Sequence, residues 1–449
     1  MGSSSLVDEK LIRSPFLWLA VGVFAFQRFG LQIGDGSLPV ITLALLWTAA
    51  AMVTSGRMLI HPGRLAILLC VVVIGALGLL MHPVGTSVAS LALVFVTWLP
   101  AALMTTERGG GLAVPEVDGS GLRSTVATGR SGMPFDARAF VVGSFWTVVV
   151  ASCFAVFQFV VSYGFSVLID PLAAIPQWIT LPGFNSTYPV EFGGSWYRAN
   201  GGIFLEASFL SLFAVFGLVL CWSSILELRP RTRLAVSAIL LVALVGSVAT
   251  SGLVLMPLLL LAMLRTPQGQ RALLVMAGIL VLGAASSQPI LSFVGKALQN
   301  PFDTSGQVSV ASRVYRPYLD LLDIISSSPI VGTGPGSSRS YVEGLDVGVT
   351  TPTLMKVAVD YGLLGLFLFV LLWWSLYRKS SLPVVVKLAL LVALIVPTDG
   401  LTSSVLVPLY TWMLLLTMET RPAARALSAG MVIHGKRSST TTPRRSLSR

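Results

Sequence analysis

Four arginines and three carboxylates carry the strongest chemical signal in this chain. Arg198 and Glu206 stand in "WYRANGGIFLEASFLSLF", from Trp196 to Phe213. Arg313, Arg316, Asp320, Arg339 and Glu343 stand in "ASRVYRPYLDLLDIISSSPIVGTGPGSSRSYVEG", from Ala311 to Gly344. A guanidinium keeps its charge at any relevant pH, and its planar fork binds phosphate oxygens in pairs. Arg198, Arg313, Arg316 and Arg339 brought to one cavity would therefore grip a di-anionic group such as a diphosphate. A carboxylate nearby could accept a hydroxyl proton. Glu206, Asp320 and Glu343 are the candidates, in that order. Glu206 falls about one turn inside an apolar run, where an ionisable residue is costly and marks function by default. The plainer reading pairs it with a neighbouring base.

The elements that must position these groups follow from local pattern. Asn200-Gly201-Gly202 permits a turn or a close backbone approach after Arg198. At about 100° per residue, Arg313, Arg316, Asp320 and Asp323 fall within about 80° of one another. Val314, Tyr318, Leu321, Leu322 and Ile325 fill the adjoining sector, as in an amphipathic helix at a membrane surface. Pro317 disfavours helix at the residue before it, so the regular helix can start there with the arginines on its first turn. Next comes "SPIVGTGPGSSR", which lacks the GxxxxGK[ST] spacing of a nucleotide-phosphate loop. Its glycines are expected to turn the chain tightly and carry Arg339 back toward the other arginines.

Composition decides the class. Of 449 residues, 54% are hydrophobic and 11% charged, less than half the charge of an ordinary soluble chain. The expected fold is all-α, a polytopic membrane protein of about 12 transmembrane helices. Candidate spans are 14–33, 38–55, 65–82, 86–104, 139–162, 201–222, 233–249, 252–264, 272–290, 353–377, 383–398 and 401–418, each near the ~20 residues a bilayer needs. The pair 233–249 and 252–264 is short, and a break at Thr250-Ser251-Gly252 makes it a hairpin. Charge supports that choice. With both termini cytoplasmic, 23 of the 30 Lys and Arg face inward, whereas a single span there would put the basic tail outside. The net charge of +11 thus reads as topology rather than nucleic-acid binding.

The chain divides into N-terminal spans (1–104), a Gly/Ser/Thr-rich cytoplasmic loop (105–138), central spans with an outer loop at 163–200 (139–290), a large outer loop (291–352), C-terminal spans (353–418) and a basic, disordered cytoplasmic tail (419–449) that lies near anionic lipid. The first apolar run has no small-residue cleavage site after it and is expected to stay as a span. Five of the seven outward bases cluster at the large loop. Long loops can escape the charge bias, which is the bland explanation. Cys70, Cys153 and Cys221 lie in apolar runs without paired spacing, and the three histidines are scattered, so no disulfide framework and no metal or other cofactor is expected.

Several elements, in order, resemble the Wzy/WaaL-type superfamily of O-antigen polymerases and ligases. They are "RANGGIFLEAS" (Arg198–Ser208), "SRVYRPYLDLL" (Ser312–Leu322), "SPIVGTGPGSS" (Ser328–Ser338) and "VDYGLLGLF" (Val359–Phe367), 42 residues together. The resemblance implies a GT-C-like, metal-independent glycosyltransferase in the bacterial inner membrane. Such an enzyme polymerises undecaprenyl-diphosphate-linked repeat units at the periplasmic face into exopolysaccharide, capsule or O-antigen. It implies diphosphate contacts from Arg198, from Arg313 or Arg316 and, more loosely, from Arg339. Its partners would be lipid-linked glycans, membrane lipids and other polysaccharide assembly proteins. Two departures matter. The superfamily's ligases place a histidine after the glycine turn, where this chain reads "SYVEGLDVGVTTPTLMK". A Ser-Arg pair expected in the preceding hairpin is replaced by "TSGL" at Thr250–Leu253. A ligase, and a transporter or flippase for lipid-linked glycans, stay open as alternatives.

Overall fold

The computed structural model describes residues 9–33, 36–106, 133–181, 197–223, 225–247, 249, 251–286, 321–343, 351–396 and 401–418. Described residues are overwhelmingly helical, with two small two-stranded antiparallel sheets. Among the described residues, four helices are long and apolar enough to cross a membrane: α3 (Pro62–Met81), α5 (Phe135–Phe165), α7 (Pro230–Ser247) and α12 (Thr353–Lys379). Around them stand the shorter apolar helices α1 (Pro15–Ala25), α2 (Val40–Thr54), α4 (Val88–Trp98), α6 (Ala207–Trp222), α8 (Met256–Leu264), α13 (Val384–Ile395) and α14 (Leu406–Leu416). The chain folds as a helical membrane protein. Helix α9 (Pro267–Ser286) and two short helices, α10 (Leu322–Ser327) and α11 (Ser337–Glu343), complete the set used below.

Hydrogen bonds define two ends of this bundle. At one end, β1 (Gly30–Ile33) pairs with β2 (Gly36–Pro39) between α1 and α2, and Phe29 bridges to Thr180 beyond α5. At the other, β3 (Met58–Ile60) pairs with β4 (Leu103–Thr105). There His61, capping α3, lies 3.2 Å from the Lys379 Nζ that closes α12, and Ser380 meets Thr417 at 2.7 Å. Helix α2 runs from one end to the other, between β2 and β3. Helix α7 closes at Ser247 and a 3₁₀ turn (Ser251–Leu255) opens α8; of the expected break at Thr250-Ser251-Gly252, Ser251 and Gly252 start that turn and Thr250 lies outside the described residues. Ser211 holds that break: its Oγ accepts from the Gly252 amide at 2.8 Å and donates to Ala249 O at 2.9 Å.

Every residue of α14 is buried, and α6 is nearly so. A helix apolar all round belongs at the centre of a bundle. Lipid tails are as apolar as leucine, so helices in a bilayer are held by close packing and interhelical hydrogen bonds instead. Phe204 stacks on Phe213 and both meet Phe24 of α1 edge to face, with centroids 5.1–6.2 Å apart. Trp98 Nε1 donates to Leu401 O, and Tyr410 Oη to Trp373 O, each at 2.9 Å.

The structure redraws several expected limits. Thr105 belongs to β4 and residues 135–138 already belong to α5, so the expected loop 105–138 is shorter at both ends; positions 107–132 lie outside the described residues. Helix α5 likewise runs three residues into the expected outer loop 163–200. The tail from 419 lies outside the described residues. Of the amphipathic helix expected around 311–327, the described part is Leu321 and α10. Leu321 is fully buried against Met355 and Val359, and Ile325 packs beside it. Leu322, expected on the same apolar face, is exposed.

Candidate functional site

The Arg198 turn is built on α5. Ser162 Oγ accepts from the Tyr197 amide at 2.6 Å. Gln158 Oε1 accepts from the amides of Asn200 and Gly201, and its Nε2 donates to Asn200 Oδ1 and to Ile169 O. Asn200 Oδ1 in turn accepts from the Gly202 amide at 2.8 Å. The Ala199 amide donates across to Gly246 O at the end of α7. Gly201 and Gly202 take φ of +70° and +74°, a left-handed path that other residues adopt only at a cost. The turn is therefore fixed by one buried Gln–Asn pair and two glycines.

Arg28 locks the turn from the side of α1. Its Nη1 and Nη2 donate to the two oxygens of Asp170 at 3.0 and 3.1 Å, and Nη1 also reaches Gly202 O at 3.3 Å. The sequence alone assigns Arg28 no role. The pairing spans 142 residues, and no local spacing betrays it.

Arg198 itself is half-buried. Its Nε is sealed from solvent and has no hydrogen-bond partner, and among the described residues no acid forms an ion pair with it. Desolvating a guanidinium without a carboxylate is expensive, so the arrangement suits an anion supplied from elsewhere. Glu206 does not lie a turn inside a span, as expected. The left-handed glycines delay the helix, and Glu206 is the residue that precedes α6. It is half-buried, its carbonyl accepts from the Phe209 and Leu210 amides, and its Oε2 accepts from Ser208 Oγ at 3.1 Å. A negative charge at a helix N-terminus is favoured by the helix dipole, which lessens the cost that made Glu206 conspicuous.

The second cluster answers what the glycine-rich stretch does. Helix α12 is broken at Gly362, where φ is +66° and ψ −176°. Such a break frees backbone groups that a membrane interior cannot solvate. The stretch Pro329–Gly334 supplies the partners. Leu363 and Leu364 donate their amides to Pro329 O and Ile330 O, at 2.8 and 3.3 Å. Val359 O and Asp360 O accept from the amides of Thr333 and Gly334, at 2.8 and 3.1 Å. Gly332, Gly334 and Gly336 all have positive φ, which lets the stretch wrap the break. A Cβ on Gly78 of α3 would lie 2.8 Å from Gly334 Cα, so backbone meets backbone there.

Asp360 closes this clasp. It is 2% exposed. Its Oδ1 accepts from the Ser338 amide at 2.9 Å and from Ser337 Oγ at 3.2 Å, and its Oδ2 accepts from the Gly336 amide at 3.1 Å. These bonds start α11, on which Arg339 is exposed. The expected tight turn is present. Arg339 sits with α3, α4 and α12, and Arg198 with α5 to α7, both toward the end of the bundle that holds Arg28. Glu343 closes α11. Arg313, Arg316 and Asp320 lie outside the described residues.

No protein-family model matches the chain, and no curated protein matches its sequence.

Proposed function

We propose that the chain is a polysaccharide polymerase of the Wzy type, a metal-independent glycosyltransferase that joins undecaprenyl-diphosphate-linked repeat units. In this reading the twelve apolar runs each cross the bacterial inner membrane, both termini are cytoplasmic, and the Arg28 end faces the periplasm. The observation that carries the reading is Arg198: a half-buried cation with a sealed, unpartnered Nε, and without an ion-paired acid among the described residues. In this reading the lipid diphosphate is the anion that Arg198 binds. Because diphosphate is already a good leaving group, catalysis amounts to neutralising charge as the bond to the sugar C1 breaks and aligning the attacking hydroxyl. Arg198 and Arg339, with Arg313 and Arg316, hold the diphosphate, and Glu206, Asp320 or Glu343 takes the hydroxyl proton. Cells lacking the protein are expected to carry single repeat units on their lipid carrier and no polymer. Polymer of normal length in such cells would end the proposal.

One observation favours a second reading, a transporter for the same glycans. Transporters often bind substrate at discontinuous helices, and α12 is broken at Gly362. Here, however, four backbone groups flanking that break are paired with the glycine stretch and are not open to a ligand. Loss of a transporter would leave no repeat units exposed outside the cell, which separates the two.

A further inference from the structure

Resting on the reading above, we infer that Asp360 is a positioning residue: it sets the place from which Arg339 reaches the lipid diphosphate. The local sequence "VDYGLLGLF", one of the elements that carry the resemblance, does not assign it a role. The geometry does. The carboxylate of Asp360 takes the amides of Gly336 and Ser338 and the hydroxyl of Ser337, the three residues before Arg339. The Arg339 amide donates to Gly336 O at 3.2 Å, so its backbone is tied to the residue that Asp360 holds. Thr333 Oγ1 braces Ser337 Oγ at 2.7 Å and itself contacts Val359 O, which closes the frame.

The same bonds explain why the side chain of Arg339 matters. Amides at the start of a helix are a ready anion site. In α11 the amides of Gly336 and Ser338 are already taken by Asp360. Those amides therefore cannot hold a phosphate, and recognition passes to the guanidinium one residue further on. A carboxylate suits this task better than an amide. It accepts from three donors at once, whereas asparagine would turn a donor toward at least one of them.

The test is a cycle of Asp360→Asn, Arg339→Ala and the double variant. Purified full-length protein in nanodiscs is titrated with undecaprenyl diphosphate. Each single variant is expected to weaken binding about tenfold, and the double variant no further than Arg339→Ala alone. Wild-type binding by Asp360→Asn, or a full additional loss in the double variant, overturns the inference. Should Asp360→Asn not fold, Ser337→Ala replaces it in the same cycle, with a smaller loss expected and the same non-additivity. A second readout needs no diphosphate. The rate at which a membrane-impermeant maleimide labels Arg339→Cys, quantified at that position by mass spectrometry, should change when Asp360→Asn is added. If Arg198→Ala and Arg339→Ala both bind as wild type, the diphosphate reading fails on its own, and the labelling rates still decide whether Asp360 positions residue 339. An unchanged rate overturns that too.

Discussion

The carboxylate of Asp360 accepts a 2.9 Å hydrogen bond from the amide of Ser338, 22 residues earlier in the chain. With Gly336 and Ser337 as its other partners, it joins a broken helix to the stretch that repairs the break. The Gly362 kink, the positive-φ glycines and the start of α11 thus form one unit.

That unit leaves no room at Gly362. A Cβ there would fall 2.2 Å from Ile330 O, and φ is +66°. Gly362→Ala is expected to cost about 2 kcal/mol or more, from strain and lost backbone pairing together. Thermal unfolding in detergent checks this, with Gly278→Ala, where a Cβ meets open space, as the control.

Arg28 and Asp170 should behave as a buried pair. Their side chains are 12% and 2% exposed. Removing either one strands the other, which costs about 3–5 kcal/mol. Arg28→Met combined with Asp170→Leu should lose markedly less than the two single losses added together. Unfolding midpoints for the three variants measure the coupling.

His61 predicts a pH dependence at the opposite end. Burial, then the charges of Arg64 and Lys379, hold its imidazole below its ordinary value near 6.5. The unfolded chain therefore binds the proton more readily, and stability falls as pH drops through about 6.5. His61→Gln should flatten the change in unfolding temperature between about pH 7.5 and pH 5.5. An unaltered slope would remove His61 as its source.

Much of the scaffold was legible in the sequence. Long apolar runs foretold helices such as α3 and α5, and Gly201-Gly202 and the glycines of "GTGPGSS" foretold turns. Other features depend on pairs far apart in the chain. Arg28 meets Asp170 across 142 residues, and Asp360 reads as the opening of a span until the glycine stretch is folded against it. Glu206 was misplaced by a turn because two left-handed glycines postpone the helix, which hydropathy does not register. Leu321 packs into the bundle while its neighbour Leu322 is exposed, as an apolar face laid on a membrane surface would be.

The central claim is that Arg198 holds the diphosphate of a lipid-linked glycan. Purified protein should polymerise defined undecaprenyl-diphosphate repeat units, with or without a chelator. Arg198→Ala should lower the rate by at least about a hundredfold while keeping the wild-type unfolding temperature, in line with the loss of one charge-stabilising donor. Polymerisation by Arg198→Ala at the wild-type rate would contradict the account.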